Sequence, residues 1–174
     1  MGLLDGEMVV LRAVEPEDVD LMYLVENDTS LWKYGSSNVP YSRYALGRFI
    51  EQSSGDIYAD GQLRLTVRTC QGVPVGFVDL QNFDHTHSRA EVGIVILPEM
   101  QGRGYATEAL RLLSEYAGTV LRLHQLYAVV SEDNAVACSL FSRSGFRHSC
   151  TLHEWLKADN GYTDARLYVK ILTQ

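Results

Sequence analysis

Ile94-Val95-Ile96-Leu97-Pro98-Glu99-Met100-Gln101-Gly102-Arg103-Gly104-Tyr105-Ala106 is the stretch that decides how the rest of the chain is read. An apolar β-branched run ends at Pro98, a glycine turn follows at Gly102 and Gly104, and an amphipathic helix opens near Tyr105. A helix that starts this way leaves backbone N–H groups without intrahelical acceptors at the positive end of its dipole. Such a turn suits an anion, and phosphate above all. Glycine matters because a side chain there would hold the backbone away from the anion. The alternative is an ordinary strand–turn–helix whose glycines serve only geometry.

Two better-known phosphate loops are excluded by the residues themselves. A dinucleotide fingerprint requires a third glycine for helix–strand packing, and Thr107 stands in its place. A P-loop requires Gly-Lys-Ser/Thr after four spacers, and no such string occurs.

Outward from this stretch, the period of the apolar residues predicts the other elements. Met8–Val14 reads as a first strand, and Glu15-Pro16-Glu17-Asp18 as a helix start with Leu21, Leu24 and Val25 as its apolar stripe. Residues 27–40 read as loop, and Ser42 as the cap of a second helix running to Gln52. Gln62–Thr69 alternates as a strand with one polar face, Gln71-Gly72 is a turn, and Val75–Phe83 and Ala90–Ile96 are further strands. A third helix runs from about Gly104 to Val120 on Ala106, Ala109, Leu110, Leu113, Tyr116, Ala117 and Val120. Gln125–Val130 is a strand, and Asp133 or Asn134 caps a short helix that ends at Gly145. Phe146 opens another strand, and Asp159-Asn160-Gly161 turns it back into Tyr162–Ile171. The order β-α-α-β-β-β-α-β-α-β-β implies an α/β (α+β) fold in which helices flank a mixed sheet.

With 174 residues and 46% hydrophobic content, the chain is sized for one domain, residues 1–174, with a full core. No run of 18 apolar residues is present, so no membrane partner is expected, and the first residues lack the basic and apolar regions of a signal peptide. Cys70, Cys138 and Cys150 are odd in number and form no CxxC, which points to a reducing, cytoplasmic setting. A net charge of −7 disfavours nucleic acid and suits a cationic small molecule, although acidity also serves solubility alone.

Gln101-Gly102-Arg103-Gly104-Tyr105-Ala106 resembles the acyl-CoA pyrophosphate loop of the GCN5-related N-acetyltransferases, Gln/Arg-x-x-Gly-x-Gly/Ala. Linked motifs extend the resemblance over nearly the whole chain: Glu91 in Arg89-Ala90-Glu91-Val92-Gly93-Ile94 before the loop, and Asn134 eleven residues before Gly145-Phe146. Within that superfamily the chain looks most like the branch holding spermidine/diamine acetyltransferases and ribosomal-protein alanine acetyltransferases. The resemblance implies a central mixed sheet of about seven strands flanked by about four helices. It also implies acetyl-CoA as co-substrate and a primary amine as acceptor, with a polyamine or diamine ahead of a protein N-terminus. It admits a homo-oligomer.

The resemblance also implies site roles. The backbone of Ile94, Val95 and Ile96 would pair with the pantetheine arm as an added strand does. The N–H groups of Gln101, Gly102, Arg103, Gly104, Tyr105, Ala106 and Thr107 would hold the pyrophosphate, and the Arg103 side chain would add charge or remain solvated. Asn134 would orient the arm, cap its helix, or both. Glu91 would take the proton that an ammonium must lose before it attacks, or would only pair with that ammonium. A backbone N–H of Val95 or Ile96 would serve the oxyanion.

The chain departs from the pattern in two places. The leaving thiolate normally takes a proton from a Tyr in the last short helix, and that position is Phe141. The serine of the ribosomal branch would fall at Ala137. Loss of the acid is expected to slow turnover by roughly 10²–10⁴, unless water, Ser139, Ser142 or another Tyr replaces it, and it leaves open a domain that binds acetyl-CoA with little turnover. The adjacent glutamates of the spermidine enzymes are also missing from Tyr34-Gly35-Ser36-Ser37-Asn38-Val39-Pro40-Tyr41.

Other residues carry weaker signals. Asp84, His85 and His87 lack a completing ligand, so no metal is expected. Cys138 reads as a buried thiol, Trp155 as core packing, and Asp164 as turn chemistry, on a hairpin that the resemblance puts beside the acceptor.

Overall fold

Alternating apolar residues between Leu63 and Ile96 need a covering layer on each face of their sheet, and helices supply both. Residues 2–35 and 37–172 are described by the structure, a computed structural model; Ser36, within the loop that lacks the glutamates, lies outside them. The strands are β1 (Val9–Ala13), β2 (Leu63–Thr69), β3 (Pro74–Asp84), β4 (Arg89–Ile96), β5 (Gln125–Ser131), β6 (Arg147–Ala158) and β7 (Gly161–Ile171). They form one sheet in the order β1-β2-β3-β4-β5-β7-β6. Every neighbouring pair is antiparallel except β4 with β5. A parallel pair needs a crossover, and the helix between those strands supplies it.

The helices are α1 (Val19–Glu26), α2 (Thr29–Trp32), α3 (Arg43–Gln52), α4 (Ile57–Asp60), α5 (Tyr105–Thr119) and α6 (Ala135–Arg143). Two of them, α2 and α4, are single turns that the polar composition of their segments concealed; Asp28 and Asp56 cap them through the N–H groups of Ser30 and Tyr58. The other four match the expected number. Ser42 caps α3 by accepting from the Ala45 N–H at 3.0 Å. At the end of α6, Gly145 takes φ +85° and the Phe146 N–H closes on the Phe141 carbonyl at 3.0 Å. The last strand pair turns through Asp159-Asn160, since Ala158 already pairs with Gly161.

The main core lies between the sheet and α5 and α6, around Leu80, Ala90, Val92, Leu110, Leu113, Leu126, Ala128 and Phe141. A smaller core sits on the opposite face, where Leu21, Met22, Val25 and Leu46 of α1 and α3 cover Phe77. Some expected core positions are corrected. Leu24 and Val120 are 61% and 54% exposed, because Met22 and Leu112 take the inward positions instead. The polar face of β2 is not a solvent face. Arg64, Thr66 and Arg68 point under α1, where Arg64 pairs with Glu26 and Asp79, while Thr66 and Arg68 both bond Asp18. Trp155 is 60% exposed rather than core. It sits on an irregular stretch of the edge strand, where residues 153–155 face Asp164 alone.

Candidate active site

The central strands part where the chemistry is expected. Only Arg89, Ala90 and Glu91 of β4 pair with β5, opposite Gln125, Leu126 and Tyr127. From Val92 to Ile96 the β4 edge facing β5 has no strand beside it, while its other edge stays paired to β3. Ile94 and Ile96 therefore carry an open strand edge of the kind that accepts an extended guest, whereas Val95, expected to share it, turns its carbonyl to β3. The close packing of β4 on β3 requires glycine at one place. A Cβ on Gly76 would sit 2.0 Å from the Val95 carbonyl oxygen. With that carbonyl over Gly76, the trans peptide turns the Ile96 N–H to the other side.

The open edge ends at the glycine turn. None of the backbone N–H groups from Gly102 to Thr107 donates to a protein acceptor among the described residues. The Glu108 N–H is the first to enter the helix ladder, bonding Gly104 at 3.1 Å. Gly102 and Gly104 take φ of +74° and +85°, where L side chains are strained. Their conformations curl the donors together at the positive end of a helix of 15 residues. Gln101 differs from the expectation. Its backbone N–H bonds Pro98 at 3.3 Å and its side-chain amide donates to the Ile96 carbonyl at 2.9 Å, so it ties the turn to the end of β4. Arg103 folds back on the Glu99 carbonyl at 3.2 Å and is exposed.

At the vertex of the splay, three strands bring polar side chains together on the face opposite α5. Asn82 of β3 donates to the Glu91 carboxylate at 2.7 Å, from a left-handed backbone (φ +47°) within a bulge opposite Ala90. Tyr127 of β5 lies across from Glu91 in register. Burial raises the Tyr127 phenol above its ordinary value, and the negative charge of Glu91 raises it further. One strand over, Asp79 is buried against Arg64, with bonds of 2.7 and 3.1 Å. Burial pushes the Asp79 carboxyl up, and Arg64 only partly counters this. Gly93 leaves this corner open, since a Cβ there would meet the Gln81 amide at 3.2 Å.

The α6 side of the splay differs from the expectation in detail. Asn134 is half-buried and accepts the Ala137 N–H at 3.1 Å, so its cap role is occupied. Phe141 is 4% exposed, edge-on to Phe146 and stacked on Tyr168, and presents no proton donor. Cys138 is buried, with its thiol toward the Ser131 carbonyl. His85 packs on Tyr58 and Phe83, while Asp84 accepts from the His87 N–H and pairs with Arg89. Asp164 accepts from the Glu154 N–H and from His153, which fixes the irregular stretch of β6.

Sequence reading missed Asn82, Asp79 and Tyr127. Strand alternation would place Tyr127 on the face opposite Leu126 and Ala128. Only the parallel register puts it beside Glu91.

Residues 8–147 match the family model of the acetyltransferase (GNAT) domain. The spermidine N(1)-acetyltransferase of Escherichia coli strain K12 is 37% identical over 142 residues, covering 79% of this chain and 72% of that protein. The spermidine N(1)-acetyltransferase of Vibrio cholerae is 28% identical over 165 residues, 94% of either chain. The crystal structure of spermidine N-acetyltransferase from Vibrio cholerae in complex with CoA and spermine superposes with a TM-score of 0.86 at 26% identity, covering 96% of this chain and 97% of that one.

Proposed function

This chain belongs to the acetyltransferase (GNAT) family, and from that premise we propose that it moves the acetyl group of acetyl-CoA to a primary amine of a polyamine such as spermidine. The observation that carries the reading is the run of free N–H donors from Gly102 to Thr107 at the end of an unpaired β4 edge. It offers one site for a pyrophosphate and, contiguous with it, a strand edge for the pantetheine arm. An arm laid back along β4 from that cradle points its thioester toward the vertex at Glu91.

Glu91 is the group we assign to the acceptor. It faces the side of the sheet away from α5, and among the described residues its one hydrogen-bond partner is a neutral amide. The nearby carboxylates of Asp79, Glu26 and Asp84 are already paired with Arg64 or Arg89. Glu91 would hold the acceptor ammonium and then take its proton as the amine attacks. The Ile96 N–H, turned away from Gly76, faces the open edge at its cradle end, where it would pair with the arm. A setting in the cytoplasm fits the three unpaired thiols, and among the described residues no helix is long and apolar enough to cross a membrane.

The test is thiol release from acetyl-CoA against a panel of spermidine, spermine, putrescine, aminoglycosides, free amino acids and N-terminal peptides, with products weighed by mass spectrometry. Acetylated polyamine is the expected product. Turnover confined to N-terminal peptides would transfer the chain to the protein-acetylating branch. Binding of acetyl-CoA without release from any amine would overturn the polyamine reading.

A further inference from the structure

The leaving thiolate needs a proton, and the helix position that normally provides it is Phe141, sealed between Phe146 and Tyr168. We infer that Tyr127 at the vertex of the β4–β5 splay is the proton donor to the departing thiolate, working as a pair with Glu91. The inference rests on the acetyltransferase reading above.

Placement separates Tyr127 from the tyrosines of α5 and β7 that flank the splay. Tyr168 is 2% exposed and lies under α6 behind Phe141. Tyr105 opens α5 at the pyrophosphate end, the wrong end of the arm for a thioester. Tyr116 lies three turns further along α5, away from the splay. Tyr127 is half-buried and is the last β5 residue paired with β4, so the opening begins immediately beyond it. Neighbouring strands lie about 4.8 Å apart, which puts its side chain beside that of Glu91 on one face. Asn82 holds the Glu91 carboxylate from the third strand at 2.7 Å.

The surroundings keep the phenol protonated. Burial and the Glu91 charge raise it, Asp84 adds to the rise, and Arg89 and the Asn82 amide oppose it. Across β5 on the other side stands apolar Val169. A phenol that stays neutral at working pH carries a proton ready for the sulfur.

The step balances without another reagent. Glu91 first passes the ammonium's proton to solvent and is a carboxylate again; the neutral amine nitrogen then bonds to the acetyl carbon, and the carbon–sulfur bond breaks. The proton lost by the nitrogen goes to the Glu91 carboxylate, and the Tyr127 hydroxyl proton goes to the sulfur. Glu91 then returns its proton to the Tyr127 oxygen, leaving N-acetyl amine and free thiol.

The test compares Tyr127→Phe with the unaltered chain on acetyl-CoA and spermidine. It measures kcat, the spermidine KM, acetyl-CoA Kd by calorimetry and the melting midpoint. We expect kcat to fall by about a hundredfold or more, with Kd and KM within about twofold and the fold intact. A kcat within about threefold of the unaltered enzyme would overturn the assignment. A fall matched by loss of acetyl-CoA affinity would overturn it too, by making Tyr127 a binding residue. Absence of turnover in the unaltered chain would instead remove the acetyltransferase reading, and this inference with it.

Discussion

Removing the Glu108 carboxylate should loosen the first strand from the helix that carries the anion cradle. Glu108 lies one turn into α5 and is 8% exposed. Its oxygens accept the N–H groups of Glu7 at 3.0 Å and of Met8 and Val9 at 2.7 Å. Burial works to raise its pKa, but those donors and Arg111 outweigh it and hold the carboxyl below its ordinary range. Val9 is fully buried, so Glu108→Ala leaves its N–H without water, at a cost of about 1–3 kcal/mol. Glu7 and Met8 are exposed, and water replaces most of their loss. With their residual share the total is about 3 kcal/mol. For a chain of this length each kcal/mol lowers the melting midpoint by about 2–4 °C, so Glu108→Ala should melt about 6–12 °C lower near neutral pH. The sign with pH follows from the depressed value. The carboxylate stabilises the fold above the unfolded glutamate pKa of about 4.3, and that contribution is lost as pH falls through the lower folded value. Melts across the acid range should therefore show the gap between variant and unaltered chain closing. A variant within about one degree at neutral pH would refute the ledger. A gap unchanged in acid would refute the electrostatic part.

Three further outcomes test separate parts of the molecule. Gly102→Glu puts bulk and charge where the pyrophosphate is assigned, with no atom within 4 Å of the new Cβ, at a strain cost of about 1–2 kcal/mol from its positive φ. Acetyl-CoA binding by calorimetry should vanish while the circular dichroism spectrum persists; retained tight binding would disprove the cradle. Phe141→Tyr puts a hydroxyl into the core between Phe146 and Tyr168, so it should lower the melting midpoint without raising turnover, and a clear rise in thiol release at unchanged acetyl-CoA affinity would show that position 141 reaches the thioester. Arg64→Ala leaves Asp79 buried without its counter-charge, and urea unfolding should report a loss of about 3–5 kcal/mol, with less than 1 kcal/mol sinking the argument.

What the sequence made legible was periodicity and punctuation. The Ser42 cap, the Gly102–Gly104 turn, the helix that follows it and the Gly145 stop all stand as read, because each depends on backbone geometry that a few residue types enforce. The errors fall where two elements must meet before a residue's place is decided. Leu24 looked inward on a helical wheel, but the sheet touches α1 through Leu21, Met22 and Val25. The alternating polar residues of β2 read only as a polar face, because their partners Asp18, Glu26 and Asp79 lie up to 50 residues away in the chain. Trp155 looked like core because tryptophan usually is, yet the irregular stretch opposite Asp164 turns it out.

The same limit explains the candidate site. Its anion half is local in sequence, since one turn and one helix start supply every donor, and so it was visible as a string. The half proposed to transfer protons is built by register. Asn82, Glu91 and Tyr127 come from three strands, and they meet only because a bulge shifts β3 by one position and β5 pairs with three residues of β4 before diverging. A strand pair that separates after three residues also leaves the backbone polar groups beyond it unsatisfied on one edge, a cost that an enclosed sheet avoids. An extended arm with amide groups satisfies that edge when it binds. On the proposed reading the splay supplies two things with one feature: an edge for the pantetheine arm, and a vertex that would stop its thioester beside Glu91 and Tyr127.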